Sequence, residues 1–249
     1  MNTVQIKNVT LGAGSPKIAV PLVAENPDGL QKAISALDGL SFDIMEFRVD
    51  FLDIANNADA VLAQTAKVRE ILPDTPLLFT FRRVAEGGEC PCGDDYYFSL
   101  IHRAIKSGLV DIIDIELFAG DEKVQAAVQA AKAKGVVALL CNHDFDQTPP
   151  KNEITGRLKK MESLGADICK IAVMPQSAAD VLTLLDATQE VFQTAKQPIV
   201  TMSMGKLGII SRLAGQTFGS AMTFGAAAKA SAPGQVGAND LRRILDTLA

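Results

Sequence analysis

Between Val136 and Val173 the chain reads VVALLCNHDFDQTPPKNEITGRLKKMESLGADICKIAV. An apolar run, Val136–Cys141, gives way to a polar turn. A stretch over Ile154–Leu164 follows, with apolar residues three and four apart, and then a second apolar run over Asp167–Val173. Two short, nearly continuous aliphatic runs joined by a helix-length crossover are the pattern of parallel strands covered on both faces.

Outward from this stretch the same unit recurs to both ends of the chain. Runs over Lys17–Val23, Asp43–Val49, Leu77–Phe81, Asp111–Leu117, Pro198–Met204 and Gly219–Gly225 complete a set of eight. Helical stretches such as Val124–Lys134 and Ala178–Thr194 lie between them. Eight strands alternating with helices predict an α/β fold of the closed (β/α)8 TIM-barrel type, and 249 residues suit a fold of about 250. A doubly wound open sheet is the competing architecture. Against it, no GxGxxG follows the first run and no P-loop Gly-Lys-Ser/Thr occurs. The first residues contain a short strand, a polar turn and Gly12-Ala13-Gly14, which predicts a β-hairpin closing the bottom of the barrel. No repeat beyond the β/α unit and no linker is visible, so one catalytic barrel domain over 1–249 is expected.

Composition narrows the function classes. The chain is 48% hydrophobic and 21% charged with a net charge of −5. That balance suits a packed core and gives no electrostatic footprint for nucleic acid or an anionic membrane. The N-terminus lacks a signal-peptide pattern, and no apolar run approaches the roughly 20 residues that span a bilayer. Four cysteines in a chain of this length make no disulfide framework, and Cys90-Pro91-Cys92 without a second ligand pair reads as a loop. A reducing, cytoplasmic setting is the expectation.

A barrel keeps its chemistry at the C-terminal ends of its strands. Glu46 and Arg48 close the second run on one face, and Arg48 can pair with Glu46. Arg82 follows the third run and Glu86-Gly87-Gly88-Glu89 comes soon after. The fifth runs into Asn142-His143-Asp144, and the sixth holds Lys170. A closed barrel has no edge on which a strand lysine can sit, so Lys170 either snorkels to solvent or acts as a nucleophile. Burial and cations such as Arg48 or Arg82 lower a lysine pKa and favour the second role. Of the two histidines, His102 falls in a helical stretch, whereas His143 ends the strand next to that of Lys170. Glu86 could orient its imidazole, or be a solvated loop acid. Arg212 has no acidic neighbour in Ile209–Phe218, so a substrate carboxylate or a phosphate is its expected partner.

These strings together resemble the type I 3-dehydroquinate dehydratases. The resemblance rests on Glu46–Asp50, Phe79–Arg82, Glu86–Glu89, Asn142–Phe145, Lys170–Pro175, Ser211–Gly215 and Ala230–Gln235, in order over nearly the whole chain. It implies a (β/α)8 barrel that dehydrates 3-dehydroquinate to 3-dehydroshikimate in the shikimate pathway through a lysine Schiff base. No metal or cofactor is implied, and a homodimer is common. It implies Lys170 as the imine-forming lysine, His143 as general acid/base with Glu86 as its partner, and Arg212, Ser231 and Gln235 on the carboxylate. Glu46, Arg48 and Arg82 would receive the ring hydroxyls. Cys141, Cys169 and Cys90-Pro91-Cys92 look particular to this chain. Small residues in 229–237 suggest a lid. The rivals are a class I aldolase acting on a sugar phosphate and a catalytically silent barrel.

Overall fold

A computed structural model describes residues 3–227 and 232–249. The opening segment forms the expected hairpin, with β1 (Val4–Ile6) and β2 (Val9–Leu11) antiparallel. Among the described residues, eight parallel strands follow: β3 (Lys17–Leu22), β4 (Ile44–Arg48), β5 (Leu77–Thr80), β6 (Ile112–Glu116), β7 (Val137–Asp144), β8 (Ile168–Val173), β9 (Ile199–Ser203) and β10 (Met222–Ala226). Each pairs with the next from β3 to β9, and β10 pairs back to β3. The β9–β10 seam is closed by an isolated bridge from Ile199 to Ser220, with the Ala221 N–H donating to the Ile199 carbonyl at 2.8 Å. A short β11 (Val236–Gly237) lies along β10. The fold is the predicted (β/α)8 barrel.

Around the cylinder lie α1 (Pro27–Ser35), α2 (Ala58–Ile71), α3 (Asp94–Ser107), α4 (Asp121–Ala133), α5 (Lys151–Ser163), α6 (Ala178–Thr194), α7 (Gly205–Leu213), α8 (Gly215–Phe218) and α9 (Ala238–Leu248). Helix α4 begins ahead of the first apolar residue of the stretch predicted for it. Asp121 and Glu122 occupy its first turn, where acidic groups favour the positive end of the helix dipole. The last barrel strand starts at Met222 rather than Gly219. Gly219 caps α8 at φ 100°, a left-handed conformation that glycine adopts without steric cost.

Strand residues alternate between two packing environments. Outward side chains such as Phe47, Phe79, Ile113, Leu140 and Ile171 pack with buried residues of the helices. Inward, the lowest layer is apolar: Ile44, Leu78, Ile112, Leu139, Ile168, Val200 and Met222 cluster with Ile6 and Leu11 of the hairpin. Leu11 is fully buried, so the hairpin plugs the bottom of the barrel as well as covering it. Two residues further along β4, β5, β6 and β8 the inward file turns polar, through Glu46, Thr80, Asp114 and Lys170, while β7, β9 and β10 place Cys141, Met202 and Phe224 there; Arg48, Glu116 and His143 come next. Being covered on both faces explains the continuous apolar runs, and the change of file at the top places the polar groups. No helix of the described residues is long and apolar enough to cross a membrane.

Candidate active site

Lys170 sits in the middle of β8, in register with Cys141 of β7. Its side chain is buried, and its Nζ lies 4.5 Å from the centre of the Phe224 ring. No ion pair among the described residues includes it; Asp50, Asp114 and Glu116 are bound to arginines and Glu86 to His143. The cavity in front of it is lined by polar and apolar side chains together, among them Glu86, His143, Arg212, Met202 and Phe224, the mixed lining usual for small-molecule sites.

One strand over, His143 is held by Glu86. Glu86 Oε2 accepts the His143 backbone N–H at 2.9 Å and lies 3.0 Å from Nδ1. Oε1 accepts from the Asn142 amide at 3.3 Å. The turn that presents Glu86 depends on two glycines. A Cβ on Gly87, at φ 82°, would meet the Phe145 ring at 2.4 Å, and one on Gly88 would meet the Arg82 carbonyl oxygen at 1.8 Å. Burial pushes the Glu86 carboxyl up to about 7; Arg82 pulls it down and Glu116 pushes it further up. Burial holds His143 well below its ordinary value, and Arg82, Lys170 and Arg48 add to that. The imidazole is therefore neutral near pH 7. With Glu86 ionised, Nδ1 carries the proton and donates it, which leaves Nε2 as the basic nitrogen of a side chain lining the cavity.

The arginines divide into satisfied and unsatisfied. Arg48 does not pair with Glu46, as the strand spacing allowed. It forms a two-pronged bond to Asp50 at 2.8 Å for each prong, because the turn over Val49–Phe51 brings that carboxylate back against the guanidinium. Glu46 instead accepts from the Thr80 hydroxyl at 3.2 Å. Arg82 is matched by Asp114 at 2.9 Å and Glu116 at 3.2 Å. Arg212, in the last turn of α7, has no acidic partner among the described residues. It reaches the Pro233 carbonyl at 3.2 Å and Met202 Sδ at 3.4 Å, its Nε is buried without a partner, and burial drags it down to about 10. The two cations left uncompensated at the cavity, Lys170 and Arg212, favour an anionic ligand.

Eight of the nine residues singled out from sequence — Glu46, Arg48, Arg82, Glu86, His143, Lys170, Arg212 and Gln235 — line this one cavity. Ser231 lies outside the described residues. Sequence reasoning passed over Met202, Met204 and Phe224, which form the apolar side of the cavity, although the two methionines show the spacing of two that marks a shared face. It also passed over Asp114 and Glu116, hidden in a run read as apolar. No metal was expected from sequence. Among the described residues Glu86, Cys141 and His143 bring ligand-type atoms within 4.8 Å of one another. Arg82 lies 3.0 Å from Cys141 Sγ and 3.8 Å from Glu86, a cation where a metal's charge would go. Burial also pushes the Cys141 thiol well up, away from the thiolate that binds metal.

A parallel barrel whose strand ends gather an unpaired lysine, an acid-held imidazole and a free arginine defines a lysine-centred α/β-barrel site. Comparison with known proteins gives the family. Residues 18–249 match the model described as type I 3-dehydroquinase, and the chain belongs to that family. It is 57% identical to the 3-dehydroquinate dehydratase of Neisseria gonorrhoeae over 243 residues, covering 98% of this chain and 96% of that one. It is 52% identical to the Listeria monocytogenes enzyme of the same name, covering 100% and 98%. Among solved structures, the type I 3-dehydroquinate dehydratase of Clostridium difficile with covalently modified comenic acid superposes with a TM-score of 0.96 at 48% identity, covering 99% of this chain and 98% of that one.

Proposed function

We propose that this chain dehydrates 3-dehydroquinate to 3-dehydroshikimate through an imine on Lys170, in the shikimate pathway and the cytoplasm, as a single-domain barrel assembled as a homodimer. The observation that carries the reading is Lys170 itself: a buried amine, in no ion pair among the described residues, facing a cavity beside an imidazole whose Nδ1 lies 3.0 Å from the Glu86 carboxylate. The names and likeness of the relatives supply the substrate.

In this reading the Lys170 amine, once it has given up its ammonium proton, adds to the C3 ketone, and loss of water gives an iminium. That cation is an electron sink for the C2 carbanion, which a simple ketone stabilises poorly near pH 7. His143 Nε2 takes the C2 proton and returns a proton to the departing C1 hydroxyl; Glu86 keeps Nδ1–H in place and balances the imidazolium that forms. Water then hydrolyses the product imine and frees Lys170. Arg212 holds the substrate carboxylate, assisted by Ser231 and Gln235, so that the ring keeps its C2 proton towards His143. Glu46, Arg48 and Arg82 receive the ring hydroxyls; the lid expected over 229–237 lies partly outside the described residues. The residues do this chemistry without metal or cofactor. The dimer is supported by exposed Leu182, Leu207 and Ile210 on α6 and α7.

Incubation with 3-dehydroquinate and borohydride is expected to leave the reduced adduct on the Lys170 peptide and on no other. Absence of a mass gain there, with dehydration still proceeding, refutes the imine. Cleavage of a sugar phosphate with no formation of the enone would favour an aldolase instead.

A further inference from the structure

Behind the His143–Glu86 pair, on the side away from Lys170, Asn142 and Arg157 form a link that the chemistry above does not use. Arg157 stands on α5, with its side chain 14% exposed. Its Nη1 donates to the Asn142 carboxamide oxygen at 2.7 Å, and Asn142 Nδ2 donates onward to Glu86 Oε1 at 3.3 Å. The guanidinium is itself fixed: it pairs with Glu153, lies 3.6 Å from Asp144, and covers the Phe118 ring at 5.4 Å.

A carboxamide presents a donor from one end and an acceptor from the other, and the two ends are nearly the same shape. Ionised Glu86 only accepts, and Arg157 only donates. In the observed orientation both contacts are satisfied. Turned over, the amide would set oxygen against carboxylate and NH2 against guanidinium, two repulsions in a buried site. Asn142 alone could rotate away from Glu86; with Arg157 on its oxygen it cannot do so without leaving a buried group unpaired.

We propose that Arg157 is a positioning residue for this site: by holding the Asn142 oxygen it fixes the amide NH2 on Glu86 and, through Glu86, keeps the proton of His143 on Nδ1. This rests on the reading of Glu86 and His143 given above. The charged and polar groups facing Glu86 are Arg82 from the end of β5, Glu116 from β6, and Cys141, Asn142 and His143 from β7, with Lys170 of β8 facing His143. Of these, Arg82, the Asn142 amide and the His143 backbone N–H oppose protonation of Glu86, so loosening Asn142 lets Glu86 take up its proton at a higher pH. A protonated Glu86 would donate to Nδ1, move the imidazole proton to Nε2 and remove the base.

Two histidines in the chain make this readable directly. In the 15N imidazole spectrum, with His102→Gln to leave His143 alone, the pH at which the ring passes from Nδ1–H to Nε2–H is expected to rise by roughly one unit in Arg157→Met. That is the size of a weakened hydrogen bond to a charged group. The acid limb of the kcat profile is expected to rise equally, with a fall in kcat of roughly tenfold below it and little change in KM. Arg157→Lys, which keeps a donor for Asn142, restores the wild-type limb. Asn142→Leu reads the same link from its other end if Arg157→Met does not fold, and the double variant shifts no further than either single. Unmoved tautomer and unmoved acid limb in Arg157→Met or Asn142→Leu overturn the inference. Near-normal turnover of His143→Ala overturns the reading on which it rests, a separate outcome.

Discussion

Arg212 should weaken the folded protein, and its removal should strengthen it. A guanidinium held down at about 10, well below its ordinary value, bears a penalty of roughly 3 kcal/mol in its charged form, at about 1.4 kcal/mol per pH unit. Replacing it by methionine, of similar length and apolar, removes that penalty. The change gives up the bond to the Pro233 carbonyl, about 1 kcal/mol net. Arg212→Met is therefore expected to be more stable at pH 7 by about 2 kcal/mol, a rise in Tm of roughly 4–8 °C for a chain of this size. The sign follows from linkage. Arginine is charged in both states at pH 7, so the penalty is fully present there. From about pH 10 upwards the unfolded chain still binds the proton that the folded one has lost, and wild-type stability recovers relative to the variant. Urea unfolding of both proteins at pH 7 and towards pH 11 measures the gap and its closure. Addition of 3-dehydroshikimate, whose carboxylate supplies the missing anion, should raise the Tm of the wild type and leave that of the variant unmoved. An Arg212→Met protein no more stable than wild type at pH 7 would show the guanidinium already neutralised, and the argument for an anion waiting to be bound would fail with it.

Glu86→Gln tests the opposite kind of group. A carboxyl held at about 7 against an ordinary 4.5 is charged at a cost, so the variant should gain stability relative to wild type as pH rises from 4.5 to 7 and hold that gain above. The pH-dependent part is about 3 kcal/mol by linkage, while turnover falls by roughly a hundredfold or more. Denaturation curves taken across that window and steady-state rates decide it. Leu11→Ala removes the fully buried side chain that plugs the barrel bottom. It should cost about 2–4 kcal/mol of stability and leave kcat near wild type, because the plug and the cavity occupy opposite ends of the strands.

The strand-forming runs could be read from sequence because burial on both faces leaves them continuous, and the site could be read because a barrel sorts its polar residues by height. Lys170 and His143 stand out since a charge in such a run has nowhere else to go. Period-two reasoning tells which side of a strand a residue faces but not which neighbour it meets. That is why the spacing allows Arg48 to pair with Glu46 while the turn after β4 delivers Asp50 to it, and why the partners of Arg82 emerge only with β6 beside it. Arg157 was out of reach for the same reason: its contact with Asn142 depends on how α5 folds back onto β7. Ser231 stays an expectation, outside the described residues.

The closure of the barrel is uneven around its circumference. Strands β7 and β8 are matched over six residue pairs, whereas β9 meets the segment before β10 through the one isolated bridge at Ile199 and Ser220. In mechanical terms the cylinder is a split ring, one bridge at this seam against ladders of two to six residue pairs at the others. Arg212 follows β9 and Pro233 follows β10, so the two stand on opposite lips of the split, tied across it by their hydrogen bond and by that of Gly205 to Pro233. An anion bound by Arg212 beside Pro233 would act as a rivet across that seam.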